Sequence, residues 1–235
     1  MSILYAALIP ALFIAATVAL YWFSLRVQDR FAWVNPLLSA SVALVFLLYA
    51  LRIPYSRYRS GGDVFSYLLG PATVALGVPM FKQGIKLKGS LRRLLLVVLA
   101  GSIVGMVTAG TVAHLLGASD RVVMSTLPKS VTTPIAIQVS TELHGDPAIT
   151  AALVLITGLL GSIIGPGVLR LARICHDHAV GSAIGTSSHA LGTASLIRRS
   201  EAQGSVSSLA MAMAGVITSI LATLLSWYWH LIPGR

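Results

Sequence analysis

Lys129 is the residue in this sequence best placed to do chemistry. It sits in LPKSVTTPIA and is the only charged residue between Arg121 and Glu142. A charge at membrane depth costs at least ~2.5–3.5 kcal/mol on insertion scales, and is tolerated where a partner or a watery cavity meets it. No acidic residue shares the segment, so a bound anion is an obvious partner. The competing role is a lysine that snorkels to an interface or sits at a turn. Ser130, Thr132 and Thr133 follow at once, and hydroxyls can donate to a carboxylate. Pro134 can open a half-helix, and the free N–H groups of a helix start attract anions. The same hydroxyls can instead satisfy broken backbone.

A second constellation is GTSSHALGT, Gly185 to Thr193. Ser188 and Thr193 offer hydroxyls. His189 could donate to an anion or carry a proton, or bond one helix to another. Catalysis finds little support: there is no GxSxG elbow and no nucleotide-binding P-loop. His176 and His178 flank Asp177, yet no further ligand cluster suggests a metal. His114, His144 and His230 also lie at segment ends or in loops, where a solvated role is expected. The chain is therefore expected to be no enzyme, with no catalytic residue, no metal and no cofactor.

What positions these residues follows from composition. Of 235 residues, 56% are apolar and 10% charged, whereas a soluble domain carries roughly 25% charged residues. Too little polar surface remains to cover a globule in water, so lipid must be the solvent for most of the chain. The formal charge of +10 comes from short loops between apolar runs, where basic residues set topology and meet lipid headgroups; nucleic acid is not the expected partner. The single cysteine, Cys175, allows no intrachain disulfide. The N-terminus reads as a retained span rather than a cleaved signal, because no basic region precedes it.

The chain divides into about eight hydrophobic segments: 2–23, 34–51, 64–81, 94–116, 122–141, 148–169, 179–197 and 206–231. Backbone cannot stay unpaired in lipid, so an all-α integral membrane protein is expected, as a single polytopic domain over 1–235 with halves 1–116 and 117–235. Trp22, Trp33, Trp227 and Trp229 fall near segment ends and mark the interfaces. Gly101–Gly105 and Gly161–Gly165 have GxxxG spacing, read as close helix packing.

Three segments are interrupted: the third at Gly70, Pro71, Gly77 and Pro79, the fifth at Pro128 and Pro134, the seventh at Gly185 and Gly192. Such breaks are tolerated at membrane depth only where protein or a water-filled cavity satisfies the freed groups. Interrupted segments in both halves point to a transporter site near the midplane. Segments three and seven each stand third in a four-segment half, which admits an internal structural repeat as in elevator-type transporters. The Lys82–Arg93 cluster is expected in the cytoplasm. Basic loops fall almost evenly on the two sides if all eight segments cross, but in clear excess on the side of Lys82–Arg93 if segments five and seven are re-entrant; the second topology is preferred.

At these motifs the sequence resembles the LrgB/CidB family, including YohK-type inner-membrane proteins. The resemblance rests on LLGPATVALGVPMFKQ (68–83), LPKSVTTPIAIQVS (127–140), ITGLLGSIIGP (156–166), AIGTSSHALGTA (183–194) and SSLAMAMAGVITS (207–219). It covers about Asn35 to Leu225. Where the family often has alanine, this chain has Ser187, which makes a contact by Ser187 less expected than one by Ser188. The resemblance implies one of two activities. One is an antiholin-like regulator of murein hydrolase activity and autolysis, working with a holin-like LrgA/CidA-type membrane partner. The other is a carrier related to plastid glycolate/glycerate transporters, handling pyruvate or acetate in bacteria. A lone lysine beside broken helices favours the carrier. The expected protein is thus a secondary transporter of a small monocarboxylate in the bacterial inner membrane, with Lys129, Ser130, Thr132, Thr133, Ser188 and Thr193 on the anion and His189 as proton carrier. A homodimer is the expected assembly.

Overall fold

The structure is a computed structural model that describes residues 2–31, 34–75, 81, 85 and 88–230. Gly77 and Pro79, the last two breakers expected in segment three, and Trp33 lie outside the described residues. Among those described there are nine α-helices and no strand. The chain forms two compact units, Met1–Ala72 and Thr73–Arg235.

The first unit is built from α1 (Ser2–Arg30), α2 (Pro36–Ala50) and most of α3 (Tyr55–Ala75). An Asn-Pro pair starts α2: the Asn35 side chain accepts from the Leu37 and Leu38 N–H groups, and Pro36 fills the first turn, where no partner is needed. Helix α1 packs on α3 through Gly61, where a Cβ would lie 2.8 Å from Phe13 Cβ and from the Pro10 carbonyl oxygen. Beside it the Phe13 and Tyr58 rings meet edge to face, and the Tyr58 hydroxyl is 3.2 Å from Thr17 Oγ1. The break expected at Gly70 and Pro71 is not there, since α3 runs through both to Ala75. A proline forfeits one backbone bond and can kink a helix without ending it.

The second unit contains α4 (Leu91–Leu115), α5 (Asp120–Thr126), α6 (Thr133–Glu142), α7 (Pro147–Leu171), α8 (Asp177–Ile197) and α9 (Glu201–His230). A short 3₁₀ turn, Lys88–Ser90, leads into α4. Among the described residues four helices are long and apolar enough to cross a membrane: Leu8–Arg30, Leu91–Leu115, Pro147–Leu171 and Glu201–Trp227. The eight expected segments therefore resolve differently. Helix α2, at 15 residues, rises only about 22 Å against a hydrocarbon core of about 30 Å. Segments five and seven do not run straight.

Segment five folds back on itself. Helices α5 and α6 are separated by residues 127–132, and their outer ends meet: Arg121 Nη2 is 2.9 Å from Asp146 Oδ2. A buried polar knot closes the base. Ser125 Oγ donates to the Arg121 carbonyl at 2.7 Å and accepts from the Asp146 N–H at 2.6 Å. Thr150 Oγ1 donates to the Ser125 carbonyl at 3.0 Å and lies 2.7 Å from Ser140 Oγ. Asp146 also caps α7, accepting from the Ala148 and Ile149 N–H groups ahead of Pro147.

Segment seven is a second hairpin. Helix α8 breaks at His189, whose φ of 40° and ψ of −135° are non-helical. Its halves lie side by side: Val180, Ile184 and Leu196 share one core cluster, and a Cβ on Gly192 would lie 2.8 Å from Ile184 Cγ2. Both ends meet the start of α9. Gln203 Nε2 donates to Asp177 Oδ1 at 2.9 Å, and a Cβ on Gly204 would lie 2.7 Å from Ile197 Cα.

The path of the chain fixes how these pieces alternate. Helix α4 runs from a basic end, carrying Arg92 and Arg93, to an opposite end, where the first hairpin is based. Helix α7 returns to the basic end at Arg170 and Arg173, where the second hairpin is based with Arg198 and Arg199. Helix α9 then crosses again, its Ser226 Oγ donating to the Glu142 carbonyl at 3.4 Å. The two hairpins thus enter from opposite ends, and Leu94, Val98, Val206, Leu209 and Ala210 form the core between α4 and α9.

Candidate functional site

The hairpin tips meet at one cavity of about 440 Å³. The first tip supplies Lys129 and Ser130; the second supplies Thr186, Ser187 and Ser188, with Ser182 one helical turn before them. Helices α4 and α7 form the walls with Gly101, Gly105, Thr157 and Gly161.

Glycine lets these elements come close. A Cβ on Gly101 would lie 3.1 Å from Thr186 Cγ2, and one on Gly158 would lie 2.5 Å from the His189 ring. At Gly161 a Cβ would collide with Ser188 Oγ. The GxxxG spacings do mark close packing, but what they admit is the hairpin tips.

Lys129 is half-buried, and its Nζ donates to Ser130 Oγ at 3.4 Å. Among the described residues no carboxylate lies in ion-pair range of it. Among the same residues three buried hydroxyls have no hydrogen-bond partner: Ser102 Oγ, Thr132 Oγ1 and Thr186 Oγ1. Thr186 lines the cavity. Thr132 sits at the N-cap of α6 without capping it, and Pro134 occupies the first turn. An unpaired cation, free hydroxyls and a helix start are the groups that stabilise an anion.

The other expected site residues are placed as follows. Ser188 lines the cavity, 1% exposed, and is 3.0 Å from Ser187 Oγ, which also donates to the Ala183 carbonyl. Thr132, Thr133, His189 and Thr193 are outside the lining. Thr193 Oγ1 is 2.8 Å from Ser207 Oγ and so ties the second hairpin to α9. His189 is 3% exposed, with Nε2 2.9 Å from the Val154 carbonyl oxygen of α7. That contact holds the turn where the backbone takes a conformation L-residues rarely adopt. Gly185 and Gly192 are not the break itself. A Cβ on Gly185 would collide with the Ser207 carbonyl of α9, and Gly192 lies against Ser188. Gly70 and Pro71 belong to the first unit.

Sequence reasoning missed Thr157, Ser182 and Thr186. Thr186 stood within the quoted motif, one turn before His189, and its signal was that position.

Apolar spanning helices with two opposed polar-tipped hairpins define an integral membrane protein. Its sequence places it further: the chain belongs to the LrgB-like family, whose model matches residues 17–228. Uncharacterized protein YwbG of Bacillus subtilis (strain 168) is 37% identical over 211 residues, covering 89% of this chain and 94% of that one. An uncharacterized protein of Haemophilus influenzae is 37% identical over 206 residues, covering 86% and 88%. Holin-like protein CidB of Staphylococcus aureus (strain Mu50) is 34% identical over 216 residues, covering 91% and 94%. With these relatives, the apolar helices make this a bacterial membrane protein. No solved structure matches the chain.

Proposed function

We propose that this protein is a secondary transporter of a small monocarboxylate of the pyruvate, acetate or glycolate class, residing in the inner membrane. The observation that carries the reading is Lys129, a lone cation at a hairpin tip, facing a cavity with no carboxylate among the described residues to neutralise it. A bound carboxylate would supply that charge and accept from Ser130, Thr186 and Ser188. Broken helices that meet near the middle of a bundle are the common construction of ion and substrate sites in transporters. The two span-plus-hairpin units, α4 with the first hairpin and α7 with the second, run in opposite directions, which suits access from alternate sides.

Orientation follows from charge. Within the second unit, Arg92, Arg93, Arg170, Arg173, Arg198 and Arg199 gather at one end, against Arg121 at the other among the described residues. Short basic loops stay in the cytoplasm, so the basic end is assigned there. His189 is assigned to holding the second hairpin; proton coupling through it would require the ring to leave Val154. No catalytic role is assigned, and a homodimer is the expected assembly.

A second reading rests on relatives named holin-like. It is an antiholin-like regulator of murein hydrolase activity that works with a small LrgA/CidA-type partner. Uptake of labelled pyruvate, acetate and glycolate into proteoliposomes of the purified protein separates the two. Uptake without any partner supports the transporter. No uptake of any of the three under an imposed pH gradient, by folded protein, supports the regulator.

A further inference from the structure

A second cavity, of about 340 Å³, lies at the basic end. Ser90 and Arg93 at the start of α4 form one side, and His176, His178 and Ala179 at the start of α8 form the other. Val97 and Ser182 line both this cavity and the one at Lys129, so the outer space adjoins the inner. Arg93 and His176 are exposed and His178 is partly buried. The His178 backbone N–H donates to His176 Nδ1 at 3.3 Å, which leaves the ring proton of His176 on Nε2 and free to donate. The nearest carboxylate in sequence, Asp177, is outside the lining and holds Gln203 instead. A guanidinium and two imidazoles therefore line the outer cavity, and among the described residues no acid does.

We infer that this outer cavity is a waiting site for the carboxylate, which binds first at Arg93, His176 and His178 and then passes Val97 and Ser182 to Lys129. The inference rests on the transport reading and adds a residue-level route to it. A guanidinium matches a carboxylate with paired, charge-assisted hydrogen bonds. A cleft lined by one sign of charge raises the local concentration of the opposite ion and speeds its arrival. Ser182 at the shared wall is 5% exposed and its Oγ donates to the Ala179 carbonyl at 3.1 Å. It presents a small side chain, already satisfied, where the anion passes.

The test uses the full chain in phosphatidylcholine vesicles, with pyruvate presented at the basic end and orientation read by labelling Cys175, which is exposed. Arg93→Gln, and His176→Gln with His178→Gln, should raise KM by roughly tenfold with kcat kept, the scale of focusing by a charged cleft; Arg199→Gln should change neither. In a second arm Ala179→Cys is placed in a Cys175→Ser background. A negatively charged thiol reagent should react faster than a positively charged one, pyruvate should slow it, and Arg93→Gln should abolish the preference. Unchanged KM and no charge preference, with native uptake intact, overturn the waiting site. So does an effect seen only when phosphatidylglycerol is added, which would assign the cavity to a lipid headgroup. Failure of the native protein to move any carboxylate removes the transport reading, and the waiting site with it, before a variant is compared.

Discussion

The Arg121 guanidinium lies 2.9 Å from the Asp146 carboxylate, although 24 residues of apolar chain separate them. That chain leaves one end of the bundle and returns to it, carrying Lys129 to the turning point. The second hairpin repeats the device from the other end, with Asp177 and Ile197 both beside the start of α9. The opposed tips bring polar groups to the middle of apolar helices.

Labelling should find the ends of each hairpin on one face. In a Cys175→Ser background, Asp120→Cys and Glu142→Cys should react with an impermeant thiol reagent from the same side, and Arg199→Cys from the other. Reaction of Asp120→Cys and Glu142→Cys from opposite sides would mean that segment five crosses.

Ser125 is fully buried and serves three groups at the base of the first hairpin. Ser125→Ala strands the Asp146 N–H, and a buried polar group left unsatisfied costs about 1–3 kcal/mol. Thermal unfolding in detergent should show this loss. Arg121→Ala, whose side chain is exposed, should cost about 1 kcal/mol or less. Equal effects of the two would contradict the role given to Ser125.

Two glycines of α7 should respond in opposite ways to the same change. Gly161→Ala drives a Cβ into Ser188, so the second tip must shift and transport should fall at least tenfold, the loss that about 1.4 kcal/mol of displaced geometry produces. Nothing lies within 4 Å of a Cβ on Gly167, and Gly167→Ala should be neutral or slightly stabilising through helix propensity. Comparable uptake by the two variants would refute the close approach at Ser188.

His189 holds a turn at φ 40°. His189→Asn keeps a donor and tolerates that conformation, whereas His189→Val does neither; the valine variant should be less stable by about 1–3 kcal/mol. The pH profile of transport should be the same in His189→Asn as in the native protein. Loss of proton coupling in His189→Asn would instead make His189 the carrier.

Much of this was legible in the residues. Pro128 and Pro134 around a polar stretch announce a break, and Lys129 inside it announces a polar cavity, because both are costly in lipid. The folded-back paths of segments five and seven were legible in the basic loops, which fall in clear excess on one side only if both segments turn back. Other features were hidden. In the second hairpin the glycines drew attention to Gly185 and Gly192, but the turn falls at His189, where a hydrogen bond from the side chain to α7 offsets the backbone strain. Gly185 is small for the sake of α9 instead. Thr157 and Ser182 look like ordinary small residues in apolar helices; only packing of α4 and α7 against the tips brings them, with Thr186 of the quoted motif, to one cavity. Pro71 read as a break because a sequence cannot show whether neighbouring helices will carry a proline through.

The central claim is that Lys129 meets a transported carboxylate. It is tested most directly by pyruvate uptake into proteoliposomes containing native protein, Lys129→Ala or Lys129→Arg, each checked for equal folding. The account predicts uptake by the native protein, near-complete loss in Lys129→Ala and partial activity in Lys129→Arg, which keeps the charge but changes its geometry. Native uptake that persists unchanged in Lys129→Ala would contradict it.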